Sequence, residues 1–298
     1  MAIPITLVGF DDLDIKNVIE RNLTRLIEEH SFRLSSLEAL TIASDYGQFL
    51  ANFDTGFRPL ELISATNGEN AGMGMTPEVL RNGILCSHVI LRQDIAFPLA
   101  HTVEKDFYLD AVYTLTHEAA HAEEHLIAAE DYGPQIISLH AQPDFYLVFG
   151  RSCWGEYYAS RRAAFSHPEM GAALARMFLT PINRFRSELS KAGAAFRSAP
   201  DRLALSETIT YLCTYLCTDL FTHFSRLSGH FDGLSANLPQ QVISNPVFSE
   251  HPLLFEHFSC LRELLRDAYD RIGTWGSLKS GLEPMIGSFR RFFSFVTS

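Results

Sequence analysis

The chain changes its hydrophobic rhythm several times, and each rhythm predicts an element. Between Asp12 and His30 the apolar residues Leu13, Ile15, Val18, Ile19, Leu23, Leu26 and Ile27 recur at three- and four-residue intervals, the signature of an amphipathic helix. LEALTIAS (37–44) alternates apolar and polar positions with β-branched members, which predicts a strand. DYGQFLANF reads as a short helix opened by Ser44 or Asp45 as its N-cap, because a side-chain oxygen there satisfies an amide of the first turn. Residues 55–82 are rich in Gly, Asn, Thr and Pro and predict mostly loop, with room for one short strand. GILCSHVILRQDIA (83–96) is the strongest strand candidate. A helix from about Phe107 to Ile127 follows, then a loop marked by Gly133, Pro134 and Pro143, then a helix over about Phe149 to Phe165.

Beyond Pro168 the pattern turns wholly helical: about 169–198 with a break near Pro181, then 201–228, 252–272 and 282–296. The fold class expected is therefore α+β, with an α+β N-terminal part over residues 1–168 and an all-helical part over 169–298.

Composition narrows the function classes. A chain of 298 residues with 47% hydrophobic and 20% charged residues has the makings of a sizeable core. Its net charge of −11 argues against nucleic acid as a partner, since a phosphate backbone calls for clustered Lys and Arg. The nearest basic pair, Arg161 and Arg162, reads as a solvated helix face. The stretch MAIPITLVGFDDLD has no basic segment ahead of its apolar residues and predicts no secretory signal. No run is long and apolar enough to predict a membrane span. Five cysteines without a framework spacing fit a reducing, cytoplasmic setting. Two of them, Cys213 and Cys217, lie one turn apart in an apolar segment and read as core packing.

The chemistry concentrates in YTLTHEAAHAEEH (113–125). His117-Glu118-Ala119-Ala120-His121 is an HExxH sequence. On a helix, residues four apart share a face, about 6 Å from each other, so two imidazoles can converge on one Zn²⁺. Glu118 lies about 100° further round the helix, where a carboxylate can take a proton from a metal-bound water. A chain with this His and Glu content contains roughly 0.03 such matches by chance. His125 continues the spacing, but eight residues of helix rise by about 12 Å. It cannot share with His117 an ion that demands bonds of about 2 Å, and reads as a supporting, substrate-facing or exposed residue. The metzincin continuation is absent, because Glu124 and Ile127 stand where that pattern wants Gly and His.

A catalytic zinc needs a third protein ligand and an open position. Glu156, in CWGEYYASRRAAF, is the candidate. It is a carboxylate in a mostly apolar helix, where burial is costly without a partner or an ion. The competing reading is a helix glutamate paired with Arg161 or Arg162.

HEAAH with a downstream helical glutamate in an E-x-x-A context resembles the gluzincin branch of zinc metallopeptidases. The preceding helix–strand–helix–strand order resembles the minimal zincin-like fold, including small peptidases found beside phage-type repressors. The resemblance covers about residues 12–165. It implies that His117, His121 and Glu156 bind Zn²⁺ and that Glu118 is the catalytic base and then acid. It also implies that the strand around 84–92 borders the cleft and pairs with an extended peptide. Many family members carry an acidic residue near the third ligand. One turn after Glu156 this chain has Ser160. For stabilising the oxyanion the candidates are His140, Tyr157, Tyr158 and Arg161. His140 is the expected catalytic partner, and the two tyrosines read as core.

Other motifs carry less. NGENAGMGM (67–75) lacks the lysine and setting of a phosphate loop and reads as flexible loop. His251 and His257, with Glu250 and Glu256, read as ordinary helix residues. FRRFFSFV near the C-terminus reads as a helix buried against the helical half. The expected function is zinc-dependent hydrolysis, foremost of a peptide or protein substrate, with a helical half that shapes the cleft or binds a protein partner. Two alternatives stand: a non-catalytic zincin-like protein with structural or no metal, and a zinc hydrolase of a non-peptide amide.

Overall fold

The structure, a computed structural model, describes residues 3–57, 73–101, 103–132, 145–198 and 217–271, together with 283–284 and 286–288. The chain divides into two compact units, residues 1–143 with 165–167, and residues 144–164 with 168–298. The first is α+β, and the described elements of the second are helical. Among the described residues, no helix is long and apolar enough to cross a membrane.

The first unit is built on a mixed sheet of β1 (Ile5–Val8), β2 (Leu37–Ala43), β3 (Gly74–Met75), β4 (Glu78–Arg81) and β5 (Ile84–Arg92). β1 pairs parallel with β2 and β2 parallel with β5, while β3 and β4 pair antiparallel with successive stretches of β5's other side. The helices are α1 (Leu13–His30), α2 (Tyr46–Ala51), α3 (Gln93–Ala100) and α4 (Lys105–Tyr132). The predicted periodicity of α1 places Ile15, Ile19, Leu23 and Leu26 in the core. Asp12 caps it by accepting from the Ile15 amide at 3.1 Å, and Asp45 caps α2 by accepting from the Gln48 amide at 2.9 Å.

The expected strand over 83–96 is shorter. It ends at Arg92, where α3 begins. In QDIAFPLA the buried positions, Ala96 and Leu99, are three apart rather than alternating. The loop expected over 55–82 holds two strands rather than one, and the Asn82–Gly83 turn explains the second. Both residues adopt positive φ, 53° and 80°, as a two-residue hairpin turn requires. This hairpin also removes the open edge expected of 84–92. β5 is paired along both sides, so among the described residues the strands at the margin of the sheet there are β3 and β4.

Successive residues of β5 point to opposite faces. Ser87 and Leu91 face α4, whereas Ile90 packs with Tyr46 and Leu50 of α2. A polar chain, half-buried at Glu38 and Arg81 and buried at His88 and Thr41, lies on the α2 side of the sheet. Glu38 accepts two bonds from Arg81 (3.0 and 3.1 Å) and one from His88 Nδ1 at 2.9 Å, and His88 Nε2 lies 2.9 Å from the Thr41 hydroxyl. Burial outweighs Glu38 and holds the His88 ring below its ordinary value of 6.5. The unfolded chain therefore binds this proton more readily than the folded one. Stability contributed by neutral His88 is complete above about pH 6.5 and falls as pH drops below it. The urea midpoint is expected to decline between pH 7.5 and 5.5, with a shallower slope in His88→Asn. An unchanged slope would remove His88 from the acid response.

The second unit comprises α5 (Phe145–Ala163), short 3₁₀ turns around Pro168, α6 (Gly171–Ser198), α7 (Cys217–Gly233), α8 (Gln240–Ile243), α9 (Pro246–Glu250) and α10 (Pro252–Asp270). The break expected near Pro181 is absent. Leu174, Ala175, Phe178, Ile182 and Phe185 keep one buried stripe through it, so packing outweighs the lost amide. α5 and α7 lie very close together. A Cβ on Gly229 would stand 2.2 Å from the Tyr157 carbonyl oxygen, and one on Gly233 would stand 2.4 Å from that of Arg161. Beside this contact Asp232 accepts from Tyr157 (2.8 Å), Arg262 (2.6 Å) and Arg266 (2.7 Å). Burial raises the Asp232 carboxyl, but these bonds dominate and hold it below its ordinary range. Cys153, fully buried on α5, is pushed up to about 12 by burial and is an inert core thiol. Cys213 and most of the predicted 282–296 helix lie outside the described residues.

Candidate metal centre

α4 carries the HExxH residues, and its sequence explains its placement. Ala119, Ala120 and Ala122 are fully buried, and small side chains allow close packing. His117 is buried, its ring stacked 5.9 Å from Tyr113 one turn earlier. One turn later, His121 Nε2 stands 3.2 Å from His117 Nε2. Two Zn–N bonds of about 2.0–2.1 Å at a tetrahedral angle place their nitrogens about 3.3 Å apart. The separation of the two histidine nitrogens is close to the one a shared zinc ion requires.

Glu156 sits on α5, half-buried, with Arg226 of α7 at 3.7 Å from Oε2. Arg161 and Arg162 were its ion partners in the competing reading. Arg161 instead donates to the Tyr157 hydroxyl at 3.0 Å and to Asp270, and its guanidinium covers the Tyr269 ring at 3.9 Å. One ligand atom from each of His117, His121 and Glu156 lies within 4.8 Å of the others. Among the described residues this is the group of His, Cys, Asp and Glu side chains able to hold an ion. Two neutral imidazoles and one carboxylate form a donor set suited to zinc.

His125 stands apart from this group. Its Nδ1 lies 3.0 Å from the Ser87 hydroxyl on β5 and its Nε2 3.7 Å from Glu124. The His121–His125 ring distance is 6.4 Å, against 4.7 Å for His117–His121.

Glu118 is buried next to the histidines. Its Oε2 accepts from the Thr76 hydroxyl at 2.8 Å, and the same hydroxyl lies 3.0 Å from the Glu118 backbone oxygen. Tyr46 feels the charge of Glu118. Burial, then that negative charge, push the phenol well above its usual range.

The oxyanion candidates fare differently. Tyr157 is bound to Asp232 and Arg161, and Tyr158 packs 5.5 Å from Tyr269. Both belong to the core of the second unit. His140 lies outside the described residues. Ser160, one turn after Glu156, is fully buried. Glu250 pairs with Arg186, and His251 stands at the N-terminal end of α10.

Sequence reasoning missed Thr76, Gly74 and Arg226. Arg226 stands in a helix that also carries Asp219, His223 and Asp232, so composition gave it no signal. β3, only two residues long, carried almost none for the others. No protein-family model, curated protein or solved structure matches the chain.

Proposed function

We propose that the protein is a zinc-dependent hydrolase cleaving peptide bonds, with His117, His121 and Glu156 holding the ion and Glu118 as the general base. The observation that carries this reading is the convergence of those three side chains within 4.8 Å, beside a buried carboxylate adjoining His117 on the same helix. Zinc held there supplies a Lewis acid and brings the pKa of water close to neutrality. Glu118 then takes the proton of the attacking water and delivers it to the leaving amine. A minimal zincin-like arrangement of the first unit is part of the same proposal. It is supported by α4 lying along the Ser87/Leu91 face of β5 and by the marginal strand β3 running past Glu118. An extended substrate pairing with β3 would bring its scissile bond near the base.

Proteome-derived peptides incubated with the zinc-loaded full chain are expected to acquire new termini, detectable by mass spectrometry and abolished by 1,10-phenanthroline. Identical termini with and without the chelator would contradict zinc-dependent peptide hydrolysis.

One observation favours a second reading. Arg226 at 3.7 Å gives Glu156 a counter-charge of its own, which suits a metal-free protein acting through its helical part. Zinc content separates the two readings.

A further inference from the structure

We infer that Thr76 is the positioning residue of Glu118, its hydroxyl and the missing side chain of Gly74 together fixing the direction of the carboxylate. The catalytic meaning of this assignment rests on the reading of Glu118 as base, whereas the contact itself does not.

A glutamate has three rotatable side-chain bonds, and a buried one is costly unless its carboxylate is held. Here it is held from a short stretch of strand. Thr76 lies between β3 and β4, is itself buried, and its single hydroxyl proton is shared between Glu118 Oε2 (2.8 Å) and the Glu118 backbone oxygen (3.0 Å). Both acceptors belong to one residue, so the hydroxyl ties the glutamate's side chain to the turn of helix that carries it.

The platform beneath the hydroxyl is stiff. Thr is β-branched and restricted at χ1. Pro77 follows it and confines Thr76 to extended backbone. The Pro77 carbonyl in turn accepts from the His88 amide of β5 at 3.1 Å.

Gly74 closes the other side. A Cβ there would stand 2.9 Å from Glu118 Cγ, 3.1 Å from Cδ and 2.7 Å from Leu91 Cδ2. The glutamate stem thus occupies the space that any larger residue at position 74 would fill, and the hydroxyl two residues later takes one carboxylate oxygen. A shift of about 1 Å in a reacting group costs up to about 100-fold in rate, so this pair of contacts matters for turnover as well as for packing.

The alternative role for Thr76 is to pin α4 to the sheet through the backbone oxygen alone. Two measurements on the zinc-loaded full chain separate the roles. The first is urea unfolding of wild type, Thr76→Val, Glu118→Gln and the double variant. A bond to a charged carboxylate predicts that Thr76→Val lowers the folding equilibrium constant about 10- to 100-fold in wild type, and by only a few-fold where Gln replaces Glu118. Equal losses in both backgrounds would overturn the inference.

The second is hydrolysis of whichever peptide the wild type cleaves. Thr76→Val should lower kcat about 10- to 100-fold at unchanged KM and zinc content, with Thr76→Ser restoring most of it. An undiminished kcat in Thr76→Val would likewise overturn the positioning role. If the wild type cleaves no peptide, the base reading of Glu118 fails, and the unfolding comparison still decides whether Thr76 holds the carboxylate.

Discussion

Glu118→Gln is expected to lower kcat for zinc-dependent peptide cleavage by about 10²- to 10⁴-fold, the usual span of a positioned general base, while zinc content stays at the wild-type level. The two halves of this expectation have separate physical origins. Gln preserves the length and shape of the side chain and can still accept from the Thr76 hydroxyl, which stands 2.8 Å from Oε2, so the local packing against Gly74 and Leu91 survives. What is lost is the basicity needed to take a proton from water. The metal ligands lie on other residues, and the two nitrogens 3.2 Å apart on His117 and His121 are untouched. Because binding and chemistry separate in this variant, KM should change little and the loss should fall on kcat. Steady-state rates at equal zinc occupancy check it. A rate within a few-fold of wild type would mean that Glu118 is not the base, and a loss of zinc would mean that it supports the ligand set rather than the proton transfer.

How far the sequence carries differs between the elements. α1, β2, α2 and the HExxH helix were legible because each has a regular apolar period and a recognisable cap or boundary. β1 and β3 were not, since strands of four and two residues hold too few positions to show alternation. The end of β5 was misplaced because the polar Arg92, Gln93 and Asp94 were read as part of the strand, whereas they mark its junction with α3, whose buried Ala96 and Leu99 are spaced three apart. Asn82–Gly83 was readable as a hairpin turn, and with it the loss of an open edge on 84–92. Pro181 shows the reverse error: a local breaker signal was overridden by a continuous buried stripe that only tertiary packing reveals.

In the site, His117, His121 and Glu118 followed from helical spacing alone. So did the separation of His125, whose partner is Ser87. Which acid in the rest of the chain comes near the histidines is a property of the fold, and no periodicity encodes it. Chemical cost supplied the argument for Glu156, a carboxylate in an apolar helix.

His117, His121 and Glu156 are proposed to hold one zinc ion. Removing one of three protein ligands should weaken zinc by more than the roughly 10- to 100-fold that loss of a mere supporting contact causes. Arg226 stands 3.7 Å from the Glu156 carboxylate, so Glu156→Gln is the gentler companion to Glu156→Ala, keeping the shape while removing the charge. The decisive measurement is zinc stoichiometry of the purified full chain by elemental analysis, after dialysis against a zinc buffer of fixed free concentration. One zinc is expected per wild-type chain and per Glu118→Gln chain, and little or none in His117→Ala, His121→Ala and Glu156→Ala. A wild-type chain without zinc, or a Glu156→Ala chain that retains a full equivalent, would contradict that proposal.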